Sequence, residues 1–122
     1  MNEKTIGTGG VWMRRFWEYG PLVLDTQDYR AFVFDQDLQL TEPEFEALDY
    51  LARRDTASLE SLYRAVWQPP EDGKDGRETA RHGMENITAK LNPAGKGIVR
   101  IETLPDGAYI LRLRGHRYDE KQ

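Results

Sequence analysis

Residues 77–91, Arg77-Glu78-Thr79-Ala80-Arg81-His82-Gly83-Met84-Glu85-Asn86-Ile87-Thr88-Ala89-Lys90-Leu91, decide how this chain is read. Ala80, Met84, Ile87 and Leu91 recur at the 3.6-residue spacing that lines one face of a helix. The spacing predicts a helix within 76–91, with Arg81, His82, Glu85, Asn86, Thr88 and Ala89 turned outward. A thin apolar stripe opposite small polar residues describes either an ordinary amphipathic surface helix or one that lies against a partner. Gly83 interrupts it, at a cost of about 1 kcal/mol relative to Ala.

Upstream, the polar segment 68–76 (Gln-Pro-Pro-Glu-Asp-Gly-Lys-Asp-Gly) is a linker, and Pro69-Pro70 ends the helix before it. That second helix starts at an N-cap, Ser58, and places Leu59, Leu62, Tyr63, Val66 and Trp67 on one face. The first helix opens on Thr41-Glu42-Pro43-Glu44, a capping box with proline in the first turn. Phe45, Leu48, Leu51 and Ala52 form its buried stripe, and Arg53-Arg54 suit its C-terminus. Before it, 22–24, 29–34 and 38–40 read as three short strands of an antiparallel meander, separated by the polar turns 25–28 and 35–37.

The segment 11–19 packs four aromatics and two arginines into nine residues. Two uses compete: a strand that joins the meander and buries one face, or a contact surface for a partner through Trp12, Phe16 and Trp17. Residues 1–10 are expected to form a flexible arm, 11–114 a single domain, and 115–122 a flexible tail.

Downstream, 92–97 (Asn-Pro-Ala-Gly-Lys-Gly) is expected to stop the third helix. Residues 98–103 and 108–113 then read as a hairpin turned through Leu104-Pro105-Asp106-Gly107.

Composition narrows the function. The 122 residues contain no cysteine, so disulfides, thiolate nucleophiles and cysteine zinc sites are excluded. Only His82 and His116, and Ser58 and Ser61 in a cap and first turn, could serve catalysis or metal binding, and no glycine-rich phosphate loop follows a strand. Neither enzyme, cofactor nor metal site is therefore expected. No apolar run approaches membrane-spanning length, and a cytoplasmic protein is expected. The net charge of −4 conceals an asymmetry: residues 1–76 carry 8 basic against 15 acidic side chains, whereas 77–117 carry 8 against 4. A basic C-terminal third is either the ordinary variation of a solvated surface or a face for an anionic partner.

Sheet, three helices and hairpin, in that order, resemble the winged-helix effector domains of OmpR/PhoB-type response regulators. The matching residues are Leu40-Thr41-x-x-Glu44-Phe45-x-x-Leu48, Ser58-x-x-x-Leu62 with Val66-Trp67, and Ile101-x-Thr103 with Tyr109. The resemblance implies an α+β fold: a winged helix-turn-helix with an N-terminal antiparallel sheet, a three-helix core and a C-terminal β-hairpin wing. It further implies double-stranded DNA as partner. Helix 78–91 would enter the major groove and the wing the adjacent minor groove, with loop 68–76 able to touch RNA polymerase. A lone domain would gain specificity as a homodimer on repeated half-sites. The receiver domain usual in the family has no room in 122 residues.

On this resemblance Arg77 and Lys90 aim at phosphates, and Arg81, His82 and Asn86 at base edges. Arg100, Arg112 and Arg114 in the hairpin suit backbone positioning. The family's third helix is richer in outward basic residues, and Glu85 and Asp106 would oppose a phosphate strand. A rival function is thus a winged helix converted to a protein-interaction module, using the segment 11–19 or the acidic body.

Overall fold

The computed structural model describes residues 15–67 and 76–114. The expected arm, Trp12, most of the linker 68–76 and the tail with His116 lie outside the described residues. Strands β1 (Phe16–Tyr19), β2 (Leu22–Asp25), β3 (Arg30–Val33) and β4 (Gln36–Asp37) form an antiparallel meander in that order. Leu22, Leu24, Ala31 and Val33 are fully buried on its inner face. The β3–β4 turn is the two residues Phe34 (φ 49°) and Asp35 (φ 68°). Positive φ at both central positions closes a hairpin as tightly as a chain allows, which brings β4 forward to Gln36. The strand expected at 38–40 is therefore absent. Leu38 N–H still donates to Ala31 O at 2.8 Å, but Gln39 turns away at φ 57°, its N–H donating to Asp37 Oδ1 at 2.8 Å.

Helix α1 (Glu42–Arg54) begins on the capping box: Glu44 N–H donates to Thr41 Oγ1 at 3.4 Å and Thr41 N–H to Glu44 Oε1 at 3.0 Å. Asp55, at φ 69°, ends it and donates its N–H to Leu51 O. Strand β5 (Thr56–Ala57) follows at once, an element the sequence reading lacked. Helix α2 (Leu59–Leu62) is capped by Ser58, and from Tyr63 to Trp67 the coil widens into a π-helical turn. The expected ten-residue α-helix is thus one α-helical turn continued at a looser pitch.

Helix α3 (Gly76–Gly95) runs a turn beyond its expected stop, with Pro93 inside it. Proline this near a C-terminus removes one hydrogen bond without breaking the coil behind it. The helix ends instead at Gly95, Lys96 (φ 52°) and Gly97 (φ 79°). Gly83 has a reason: a Cβ there would lie 2.3 Å from Cζ2 of Trp67, so glycine lets the indole rest on the helix backbone.

Strands β6 (Val99–Thr103) and β7 (Tyr109–Leu113) make the hairpin, and β5 pairs with β7 to give a three-stranded sheet in the order β5-β7-β6. Its inner face and the three helices enclose Phe45, Leu48, Leu51, Leu62, Met84, Ile87, Leu91, Ile101 and Tyr109. Val66, expected among them, is only half-buried. Asn92 ties α3 to the hairpin through both amide atoms, Nδ2 donating to Ile101 O (3.1 Å) and Oδ1 accepting from Ile101 N–H (2.9 Å). No helix among the described residues is long and apolar enough to cross a membrane.

Candidate nucleic-acid interface

Helix α3 buries Ala80, Gly83, Met84, Ile87 and Leu91 and exposes Glu78, Arg81, His82, Glu85 and Ala89. At about 100° per residue, Glu78, His82 and Ala89 lie opposite the buried stripe, with Glu85 and then Arg81 on the flank toward the hairpin. The crest of the exposed face therefore carries a carboxylate, an imidazole and a methyl group, and its hairpin-side shoulder the Arg81–Glu85 pair. Arg81 pairs with Glu78 and stands 3.8 Å from Glu85. His82 Nε2 lies 3.3 Å from Glu78 and its Nδ1 3.7 Å from Glu85. The Glu78 carboxylate holds the Arg81 guanidinium above its ordinary pKa, and Glu85 adds to this.

The other basic or amide residues expected on this helix are placed differently. Lys90 donates from Nζ to Glu44 Oε1 and Gln39 O, both at 3.0 Å, so its ammonium is turned toward the N-terminus of α1. Asn86 is exposed on the side of the helix toward Glu44, whose carboxylate it helps to stabilise. Burial alone would push the Glu44 carboxyl up, but the Thr41 N–H, Lys90 and Asn86 together hold it below the usual carboxylate range. Arg77 donates to Glu60 at 2.7 Å and stacks 5.0 Å over the Tyr63 ring, while Arg64 reaches the same carboxylate at 2.8 Å. Arg77 first, then Arg64, lower the Glu60 pKa.

In the hairpin, Arg100 is the direct cross-strand partner of Arg112, and Glu102 is the partner of Ile110. Residues of this parity point away from α3, since Val99, Ile101, Tyr109 and Leu111 fill the inner face. Two arginines directly opposite would repel; Glu102 accepts from Arg112 at 2.6 Å and also pairs with Arg100. Arg112, then Arg100, hold the Glu102 carboxyl below its ordinary range. Arg114 is exposed at the end of β7 and makes no ion pair among the described residues. The structure thus brings Arg81 and His82 together on one surface and leaves Arg100 and Arg112 on the reverse face of the sheet. Between α3 and the hairpin tip runs a groove of about 390 Å³ bounded by Glu85, Thr88, Ala89, Thr103 and Tyr109. Burial, then Glu85, raises the Tyr109 pKa, against a smaller lowering by Arg81.

At the N-terminal sheet, Phe16 is 47% exposed, whereas Trp17 packs against the core under the Arg53 guanidinium, 4.5 Å from its ring. Four counter-charges, Glu44, Glu60, Glu78 and Glu102, went unrecognised from sequence. Two of them carried a signal at intrahelical pairing distance: Glu78, three residues before Arg81 and four before His82, and Glu60, four before Arg64. No group of three or more potential metal ligands occurs among the described residues.

No family model matches the chain. It is 33% identical over 96 residues to the DNA-binding dual master transcriptional regulator RpaA of Synechocystis sp., a match covering 77% of this chain and 39% of that protein. The chain therefore spans about two fifths of the curated relative it matches. Among solved structures, the DNA-binding domain of CpxR from E. coli superposes with a TM-score of 0.64 at 26% identity, over 80% of this chain and 96% of that one. The Thermotoga maritima response regulator DrrB, an OmpR/PhoB homologue, gives the same TM-score at 20% identity over 80% of this chain and 44% of its own, a likeness of fold.

Proposed function

We propose, from the premise that this chain is a winged-helix effector domain of the OmpR/PhoB type, that it binds double-stranded DNA and regulates transcription in the cytoplasm, by binding rather than catalysis. The observation that carries this reading is the exposed face of α3: a helix fully packed on one side projects Arg81, His82 and Glu85 into solvent beside a hairpin. A projecting helix with an adjoining wing is the geometry of helix-turn-helix readers. The relative RpaA, named a DNA-binding transcriptional regulator, supports it.

In this reading Arg81, His82 and Asn86 meet base edges, while Arg77 and Arg114 meet phosphates. Lys90, Arg100 and Arg112 contribute only where a phosphate displaces the carboxylate each now holds. A second copy on a repeated half-site supplies the remaining affinity. Contact with RNA polymerase through 68–76 belongs to the same proposal and rests on the resemblance alone. The test is a salt titration of binding to generic duplex DNA. With about three phosphates neutralised, affinity falls roughly fortyfold between about 50 and 200 mM salt. No binding at low salt, or binding indifferent to salt, overturns the proposal.

One observation favours a second reading, a protein-interaction module. Arg77, Arg81, Arg100 and Arg112 all hold carboxylates of their own chain, and Phe16 stands exposed at the N-terminal sheet. Salt-independent binding of a protein partner, lost on Phe16→Ser, is its expected result.

A further inference from the structure

Among the exposed residues in the middle of α3 stands a carboxylate, which a phosphate-seeking helix has no reason to carry. Glu85 lies on the exposed half of the helix, about 40° from its crest on the side of the hairpin, with a side chain 59% exposed and within reach of the floor of a groove in which the helix is laid. Its two neighbours engage it loosely, Arg81 at 3.8 Å and His82 at 3.7 Å, both outside hydrogen-bond range, whereas Glu78 takes the close contact with Arg81. The Glu85 oxygens therefore retain their accepting capacity. One turn on, Ala89 offers no bulk that would hold the helix away from a surface.

We infer that Glu85 is the specificity-determining residue of this helix and reads a cytosine in the major groove. The inference rests on the DNA-binding reading. On the groove floor guanine shows N7 and O6, thymine O4 and adenine N7, all acceptors that repel a carboxylate; cytosine alone shows a donor, N4–H₂, with no acceptor beside it. A carboxylate brought to guanine or thymine is desolvated without a partner, and at adenine it meets N6–H₂ only with the N7 acceptor beside it, a cost that turns repulsion into discrimination. Arg81, a turn away and aligned by Glu78, has guanidinium donors left for guanine O6 and N7, so the helix is suited to adjacent G·C pairs. Its charges then weaken indiscriminate binding and sharpen choice.

The experiment is enrichment of randomised duplexes by the native chain, Glu85→Gln and Glu85→Ala. Affinities for the selected duplex and its single-base changes follow. The native chain should select a site with one invariant cytosine, whose replacement costs about tenfold in affinity. Glu85→Gln should move that position to adenine, which glutamine contacts at N6 and N7, and Glu85→Ala should lose the preference there alone. Both variants should keep the native far-ultraviolet circular dichroism and thermal unfolding midpoint, as befits a change at an exposed side chain. A native site without an invariant cytosine, or the same site selected by all three proteins, overturns the inference and leaves DNA binding intact. Selection of no duplex by the native chain overturns both.

Discussion

Gly83 illustrates how a residue's worth is set by what lies across from it. Read alone, it is a helix breaker; in place, it is the seat of Trp67, with no room for the 2.3 Å approach a methyl would make. Gly83→Ala, which ordinarily strengthens a helix, should here destabilise by about 1–3 kcal/mol as an overpacked contact, measured as a lowered midpoint of urea unfolding. Asn92 is a second case. Asn92→Ala leaves both polar groups of the buried Ile101 backbone without their partner, and should cost about 1–3 kcal/mol for each group that water cannot reach, read by the same assay. Neither role was legible in the sequence, because each depends on a neighbour at a separation no periodicity encodes. The capping box at Thr41 and Glu44 was legible, since all its atoms lie within four residues.

Among the elements, the longer and more periodic were the more readily recognised. The core stripes of α1 and α3 and the Pro-Asp-Gly turn stand where spacing placed them, with the turn closed by Gly107 N–H on Leu104 O at 2.8 Å. Strand β5, two residues long, carries no pattern, and the π-helical turn after Leu62 shares its apolar spacing with an α-helix. Leu62 is completely buried, and Leu62→Ala should cost about 2–5 kcal/mol in thermal or denaturant unfolding. A loss under about 0.5 kcal/mol would contradict the packing of α2. The hairpin arginines belong at this scale too, since sequence showed their sign but not their partner. Arg112→Gln with Arg114→Gln should weaken binding to all duplexes alike and flatten the salt slope by about 1 per lost phosphate contact. Glu102→Gln should do the reverse, releasing Arg100 and Arg112 to phosphate, with a steeper slope in the same titration.

For the molecule as a whole, acid is the revealing stress. Asp25, at the end of β2, and Glu44, in the first turn of α1, are buried carboxylates. Burial would raise the Asp25 pKa, but Arg15, gripping both oxygens at 3.0 and 3.1 Å, and the N–H groups of Asp28 and Gln27 bring it below the ordinary value. Glu44 is lowered in the same manner. A carboxyl with a depressed folded-state pKa contributes stability that is complete above the unfolded value, about 4, and is lost as pH falls through the folded one. The unfolding midpoint should hold from neutrality to about pH 5 and drop below about pH 4, and Glu44→Gln should flatten that acid limb. Strand β5 bears on the molecule in another way. By pairing Thr56 and Ala57 with β7, and through Leu111 N–H on Asp55 O at 2.9 Å, it joins the hairpin to the junction of the first two helices. The hairpin is therefore no free appendage that frays by itself. The Leu111 amide should exchange with solvent deuterium only as fast as the helical core opens, so the wing and the helix beside it are lost, and regained, as one cooperative unit.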